Sequence, residues 1–441
     1  MKSQLAVSVP NWWLRKFIFL MCALVLVMTA CGGANTGSSG GGLSSGSSGK
    51  SSNEIKLGVL ATLTGPFAGD GKDAQRGVKM AIAEFGSKIA GKTVTMISES
   101  SDATPAVARD AARKLIEQDN VDLMVGPLSG DEGLAVRDYA KTQTGKAFLN
   151  GSSAAQDTTL RNPAPNFFRF SSDGVQWMAG LGKYVYNTQG YKRVAVLAED
   201  YSFPYSQVAG FMTEFCQVGG HVTKKFWVPI GTTDYSSVVS SIPTDIDAIY
   251  VDLGGSDSIN FLKQYVQFGG KAKLIGGTVT VDQTVLGTKG QLSQRVLGVA
   301  SASPIADSNP APSWQQFVHT YKTMFPDGFP SPSLFAYTYY VNAKAALLAL
   351  KQVNGDLSNG EAKLKDTLST LQFDTPTGLV KLDSNRQAIV SNFVTVVDKQ
   401  ADGTLYNRLV ETVPNVNQTL GVPEAQYLQL GEFNRDNPSC P

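Results

Sequence analysis

Side chains that could make or break bonds are few in this sequence, and they are badly placed for it. Asp131 and Glu132 are neighbouring carboxyls, the residue type that shares acid and base roles at a glycosidic bond. They also complete Ser129-Gly130-Asp131-Glu132, which fits the S-x-x-E capping box, and helix-cap duty accounts for them with less. His221 and His319 are the only histidines, and neither has metal-ligand spacing around it. Gly42-Leu43-Ser44-Ser45-Gly46 matches the hydrolase pattern G-x-S-x-G, but a nucleophile elbow needs a strand before it and a helix after it. Its glycine- and serine-rich surroundings supply neither. The run at 65–72 is not a phosphate loop: Walker A would need a glycine where Pro66 stands and a hydroxyl where Asp73 stands, and G-x-G-x-x-G a glycine in place of Ala74. These residues predict no enzyme, no metal and no cofactor.

Binding chemistry is better supported. The segment 121–139, VDLMVGPLSGDEGLAVRDY, reads as a buried strand, a polar turn and a helix start. In the capping box the Ser129 hydroxyl takes one free helix amide and Glu132 folds back onto the cap, which leaves other first-turn N–H groups at the positive end of the dipole. A helix terminus of this kind, at the carboxyl end of a strand, binds a carboxylate or another polar acceptor. Asn150-Gly151-Ser152-Ser153-Ala154 follows the next strand, where exposed amides would complete a polar pocket beside Ser129. An ordinary turn is the alternative.

Strands and helices alternate from Ile55 onwards: strands at 55–65, 93–97, 123–125 and 147–149, with helices at 74–85, 105–118 and 134–142 between them. A second set starts after Asn166-Phe167-Phe168-Arg169-Phe170, with helices at 175–189, 206–218, 235–241 and 258–268 and strands at 193–197, 222–228, 248–252 and 273–275. Alternation on this scale predicts an α/β fold of parallel, doubly wound sheets with loops gathered at the strand ends. The second set's loops carry Tyr201, Phe203 and Tyr205, then Gly254-Gly255-Ser256-Asp257, then Gly276-Gly277-Thr278. Two such sheets in series imply a ligand closed between two lobes, with the aromatics either stacking on it or packing beneath the loop. The 334–350 run, LFAYTYYVNAKAALLAL, contains Asn342 and Lys344 and reads as a core helix and not a membrane span. Asp402-Gly403 signals a hairpin.

The N-terminal residues set the compartment. Lys2, Arg15 and Lys16 precede an apolar run at 17–28 and then Thr29-Ala30-Cys31, the pattern of a secretory signal. Met28-Thr29-Ala30-Cys31 resembles the bacterial lipoprotein box, which makes residues 1–30 a signal peptide and Cys31 the lipidated N-terminus of an extracytoplasmic protein. Residues 31–53 are a Gly/Ser tether spanning about 25 Å as a random coil. Without the first 30 residues the formal balance is −2, which argues against nucleic acid. About 390 residues then remain, enough for two domains. Cys216 and Cys440 are left as a pair in an oxidising compartment, bonded to each other or, alternatively, two separate thiols.

Leu63-Thr64-Gly65-Pro66-Phe67, Val125-Gly126-Pro127-Leu128-Ser129, Ala198-Glu199-Asp200-Tyr201-Ser202-Phe203 and the run 251–255 resemble the matching segments of the leucine/isoleucine/valine-type solute-binding proteins of ABC importers. The resemblance covers nearly everything from 54 to about 410. It implies the type I periplasmic binding protein fold, two doubly wound lobes joined by a three-strand hinge that crosses near Phe170, Ser303 and Val390. Lobe one is then 54–169 plus 304–389, and lobe two 170–303 plus 390–441 with a C-terminal tail. Cys216 and Cys440 fall in one lobe, where a disulfide staples the tail without blocking the hinge. The resemblance places a ligand carboxylate at Ser129-Gly130 and Ser152-Ser153-Ala154. Where branched-chain amino-acid binders hold the ligand ammonium with an acid this chain has Thr278, and a tyrosine of their second lobe falls at Gly254 or Gly255. Asp70, Asp131 or Asp257 would have to substitute for that acid, although each is also an ordinary turn or helix-start residue. The implied ligand is a small polar solute: an amino acid, amide, urea or aromatic carboxylate. The implied partners are an ABC permease and ATPase, with the membrane reached through the lipid anchor and the receptor itself a monomer. A sensory or regulatory binding protein of the same fold is the other reading.

Overall fold

The computed structural model describes residues 53–287, 293–437 and 440. The expected signal peptide, tether and lipidated Cys31 lie outside them. Strand Glu54–Thr62 is buried along almost its whole length, the run of apolar side chains that a parallel strand covered on both faces requires. It pairs in parallel with Lys92–Ser101 on one side and Leu123–Val125 on the other, and Phe148–Leu149 and Phe167–Phe168 continue that sheet. The short hairpin strand Lys88–Ile89 is its antiparallel edge. The second sheet orders its parallel strands His221–Val228, Arg193–Glu199, Ala248–Asp252, Lys273–Gly276 and Ala300–Ser303. Ala388–Lys399 then pairs antiparallel with Ala300–Ser303 and forms a hairpin with Leu405–Val416, turning at Asp402-Gly403, where Gly403 takes a φ of +90°. Each sheet with its helices makes one lobe of an α/β fold.

Helix Leu334–Gln352 is the spine of the first lobe, buried from Leu334 to Ala343 without interruption. It crosses helix Ala68–Glu84 so closely that a Cβ on Gly77 would stand 2.0 Å from the Ala336 carbonyl oxygen, so the crossing demands glycine there. Asn342 does not face water: its side chain accepts from Phe170 N–H (3.0 Å) and donates to Gly151 C=O (3.1 Å). No helix among the described residues is long and apolar enough to cross a membrane.

The strands between the sheets are tied by Arg169, which is wholly buried and bonds the Ala155 (2.7 Å) and Gln156 (3.2 Å) carbonyls, Thr159 and Gln387. Arg169 and Gln387 also form a parallel bridge, which sets two of the connecting segments side by side. The edge strands Phe373–Thr375 and Gly378–Leu382 join the second sheet through only the first residues of Ala388–Lys399.

Several boundaries differ from those read in the sequence. The helix expected at 175–189 is two, Gly174–Trp177 and Leu181–Asn187, because Gly180 is left-handed (φ +89°) and packs against Val394 and Val413. Helices begin earlier than their apolar stripes: Ala68–Glu84, Ser202–Gln217 and Gly255–Gln267 each start on glycine-, proline- or polar-rich residues that read as loop. Cys216 and Cys440 are joined, Cα to Cα 5.5 Å. The tail is strapped over the second lobe by Trp227 Nε1 donating to Arg435 C=O (3.1 Å), Lys225 to Asp436 C=O (3.0 Å), and an Arg435–Asp200 ion pair.

Candidate functional site

Where strands Glu54–Thr62, Leu123–Val125 and Phe148–Leu149 end together, their loops stand at one edge of the first sheet. Helix Gly130–Ala140 starts there with Ser129 as its N-cap. Glu132 folds back to accept Ser129 N–H (2.9 Å), and also takes Ala103 N–H (3.1 Å) and the Thr62 hydroxyl (3.1 Å). Burial raises its carboxyl above the ordinary range in spite of these donors. Glu132 is therefore a cap and a brace, not half of a catalytic pair. The Ser129 hydroxyl donates to Ala103 C=O (3.3 Å), and that of Ser152 to Leu128 C=O (3.2 Å). Both oxygens still have lone pairs, and both residues line a cleft. The amides of Ser152 and Ser153 do not face it as expected: both donate to the Pro127 carbonyl (3.2 and 3.3 Å), which closes the turn on itself.

The second lobe's strand ends form the opposite wall. Tyr201 caps helix Ser202–Gln217, and Phe203 sits in its first turn, edge-on to Trp177 at 5.6 Å between ring centres. Asp131 reaches across and accepts Ser202 N–H (3.1 Å), so a first-lobe carboxylate caps a second-lobe helix. A Cβ on Gly130 would stand 2.7 Å from Phe203 N, so only glycine lets the walls meet this closely.

The space between the walls, with its opening to solvent included, is about 320 Å³. Of the residues singled out in the sequence, Asp70, Ser129, Ser152, Ala154, Tyr201, Phe203 and Gly254 line it. Gly130, Asp131, Ser153 and Gly255 do not line it. Thr278 is taken up elsewhere, donating to Ala302 C=O (2.7 Å) and bonded by the Gln207 side chain (2.6 Å). Asp257 accepts Gly231 N–H (2.6 Å). Tyr205 turns outward to Asp200 and Trp227. Phe67, Leu128, Trp177, Val279 and Phe335 also line the cleft and were not anticipated. Phe67 and Leu128 belong to segments that resemble the family's, but Trp177 and Phe335 sit in helices whose apolar pattern says only that they are buried.

The walls are largely apolar, and no lysine, arginine or histidine is among the described residues lining them. Behind Gly254, Glu199 Oε1 accepts its N–H (3.1 Å), while Glu199 Oε2 and both Asp252 oxygens have no partner among the described residues. Burial pushes both carboxyls well above their usual range. Burial, and next Glu199, raise the Tyr201 phenol in the same direction.

A cleft of this kind holds a small ligand by an apolar body and a few polar ends. Residues 54–403 match the family described as periplasmic binding protein. The chain belongs to that family. A curated relative, Leu/Ile/Val-binding protein homolog 6 of Brucella melitensis, is 25% identical over 364 residues, covering 81% of this chain and 91% of the relative. An ABC transporter substrate-binding protein from Sphaerobacter thermophilus is 29% identical with a TM-score of 0.74, over 83% of this chain and 99% of that one. A solute-binding protein from Rhodopseudomonas palustris, solved with 3,4-dihydroxybenzoic acid, is 25% identical with a TM-score of 0.75 over 83% and 99%. This is thus a type I periplasmic binding protein of the leucine/isoleucine/valine kind, a solute-binding protein and not an enzyme, in a family that works outside the cytoplasm.

Proposed function

We propose that this binding protein is the lipid-anchored receptor of an ABC importer, closing two lobes over a small polar solute that carries a carboxylate and an apolar body. The observation that carries the reading is the cleft itself, lined from both lobes and shut by Asp131 on the Ser202 amide. The positive N-terminal end of helix Gly130–Ala140 receives the carboxylate, and the Ser129 and Ser152 hydroxyls join it by turning their protons from the Ala103 and Leu128 carbonyls to the ligand. Ala154 and Gly254 leave room for it, and Trp177, Tyr201, Phe203 and Phe335 flank the apolar body. The lobes are 54–169 with 304–389 and 170–303 with 390–441, and the disulfide staples the tail to lobe two alone. Lipidated Cys31, beyond a 31–53 tether and a cleaved 1–30 signal, keeps the monomeric receptor near its permease and ATPase. Kinship to branched-chain amino-acid and aromatic-acid binders supports a solute of that size.

The test is uptake. Cells lacking the protein should lose uptake of the solute that it binds and regain it with the wild-type chain, but not with Cys31→Ser, which should also leave the membrane fraction. Binding without any change in uptake on deletion would overturn the importer role in favour of sensing.

A further inference from the structure

A second, smaller cavity lies beside strand Ala300–Ser303 and the residues that follow it, and it shares no lining residue with the cleft. Three polar side chains meet there. Asp307 Oδ2 accepts from the Gln283 side-chain amide and from the Asn407 N–H (both 2.7 Å), while Asn407 Nδ2 donates to Val281 C=O (2.8 Å). These bonds fix which way both amides point. Their oxygens, Gln283 Oε1 and Asn407 Oδ1, are buried without a partner among the described residues, and Gln283 as a whole is 1% exposed. Buried polar atoms are satisfied in the great majority of cases, so two orphan oxygens on one cavity point to something that the chain itself does not supply.

The surroundings are rich in lone pairs and poor in free protons. Ser301 donates its hydroxyl to Gly277 C=O (3.3 Å) and Thr278 to Ala302 C=O (2.7 Å), which leaves only acceptor capacity on either oxygen. Asp282 shares the lining, its two oxygens taking the Thr284 and Leu334 N–H groups (3.1 and 2.9 Å). Two carboxylates thus border the cavity, and no lysine, arginine or histidine is among the described residues lining it. The room is that of about one water molecule. A single water could donate to both orphans but would leave the two negative charges unanswered. A hard cation answers both, because it takes carboxylate, amide and hydroxyl oxygens together. No group of three or more histidines, cysteines and carboxylates that could hold a metal occurs among the described residues, so neutral oxygens must complete the shell and the affinity belongs to the weak, extracellular class.

We propose that Asp307, Gln283 and Asn407 bind one calcium ion, with Asp282 balancing its second charge and the Ser303 and Thr395 hydroxyls, in the same lining, open to it. The ion sits where the chain has just left Ser303, so it ties the start of that crossing to Gln283 and to strand Leu405–Val416. This site is separate from the cleft and does not depend on which solute the cleft takes.

The test sets calcium against magnesium on the full-length protein after its metal has been removed with a chelator. At about 5 mM, roughly ten times a mid-range dissociation constant for such sites, calcium should raise the melting temperature by about 2 °C or more, and magnesium at equal ionic strength by clearly less. Terbium reports position: the Trp314 indole donates to Asp307 C=O (3.2 Å), so terbium bound at Asp307 should emit on excitation of that indole, and calcium should displace it. Asp307→Asn or Gln283→Leu should abolish both signals, and Trp314→Phe the emission alone. Should Asp307→Asn fail to fold, Gln283→Leu and Trp314→Phe carry the comparison. Equal shifts with the two metals, or terbium emission undiminished in Trp314→Phe, would overturn the site. So would a melting temperature indifferent to calcium, which would leave a bound water to answer the two oxygens.

Discussion

Glu132 does its work without meeting a ligand. It collects the amides of Ser129 and Ala103 and the Thr62 hydroxyl in a site closed to water, so it fixes the N-cap, the preceding loop and the strand end at once. Truncation to alanine would leave two buried N–H groups unpaired, and each orphan costs about 1–3 kcal/mol. Glu132→Ala should therefore lower the unfolding free energy in urea by roughly 2–4 kcal/mol; an unchanged midpoint would mean that water replaces the carboxylate. Asp131, one residue earlier, is cheap to the fold by comparison and expensive to closure, because its partner is on the other lobe. Asp131→Ala should leave the melting temperature nearly unmoved and weaken solute binding about fivefold, the loss of one helix cap in the closed state only. Equal affinity would show that the cap also forms in the open state.

At the scale of elements the lobes exchange helix caps. Asp131 of the first lobe caps Ser202–Gln217 in the second, and Asp282 of the second sits on the Leu334 amide at the start of the spine helix in the first. Burial pushes Asp282 up to about 7 even with two N–H donors. The strand–helix alternation, the two-sheet architecture and the capped helix at Ser129 were all legible in the sequence, because apolar periodicity and cap chemistry are local signals. The exchange of caps was not, since Asp131 and Asp282 look like any helix-start charge until another element is brought to them. Thr278 shows the same limit. Its hydroxyl type suits a ligand, yet register delivers it to Gln207 and Ala302 and leaves the cleft to Val279. The early helix starts at Ala68, Ser202 and Gly255 were hidden because glycine and proline there serve close packing and first-turn positions, which composition cannot tell from a loop.

For the molecule as a whole, buried acids set the response to pH. Asp282 and Glu361 are both pushed up to about 7 from ordinary values of 3.8 and 4.5, and Asp70, Glu199 and Asp252 move the same way. The native state then keeps protons that the unfolded chain has released, so stability falls as pH climbs from about 4 to about 7 and levels off above. The melting temperature should be higher at pH 5.5 than at pH 8; a steady rise with pH would contradict this balance. The Cys216–Cys440 bond ties the tail to helix Ser202–Gln217, and both of its ends belong to the proposed second lobe although the loop it closes runs through the first, so reduction should cost roughly 2–4 kcal/mol of stability without changing solute affinity. A fall in affinity would show that the strap reaches the cleft. The central claim is that the two lobes close on a small solute, and a thermal-shift screen of the full-length protein against aliphatic amino acids, short amides, urea and aromatic carboxylates tests it most directly. A ligand bound only by the native state at 100 times its dissociation constant adds about 2.7 kcal/mol, which raises the melting temperature by several degrees. The account predicts such a rise for at least one of these solutes, lost when Ser129 and Ser152 are both replaced by bulky residues; a melting temperature that no solute in the screen moves would contradict it.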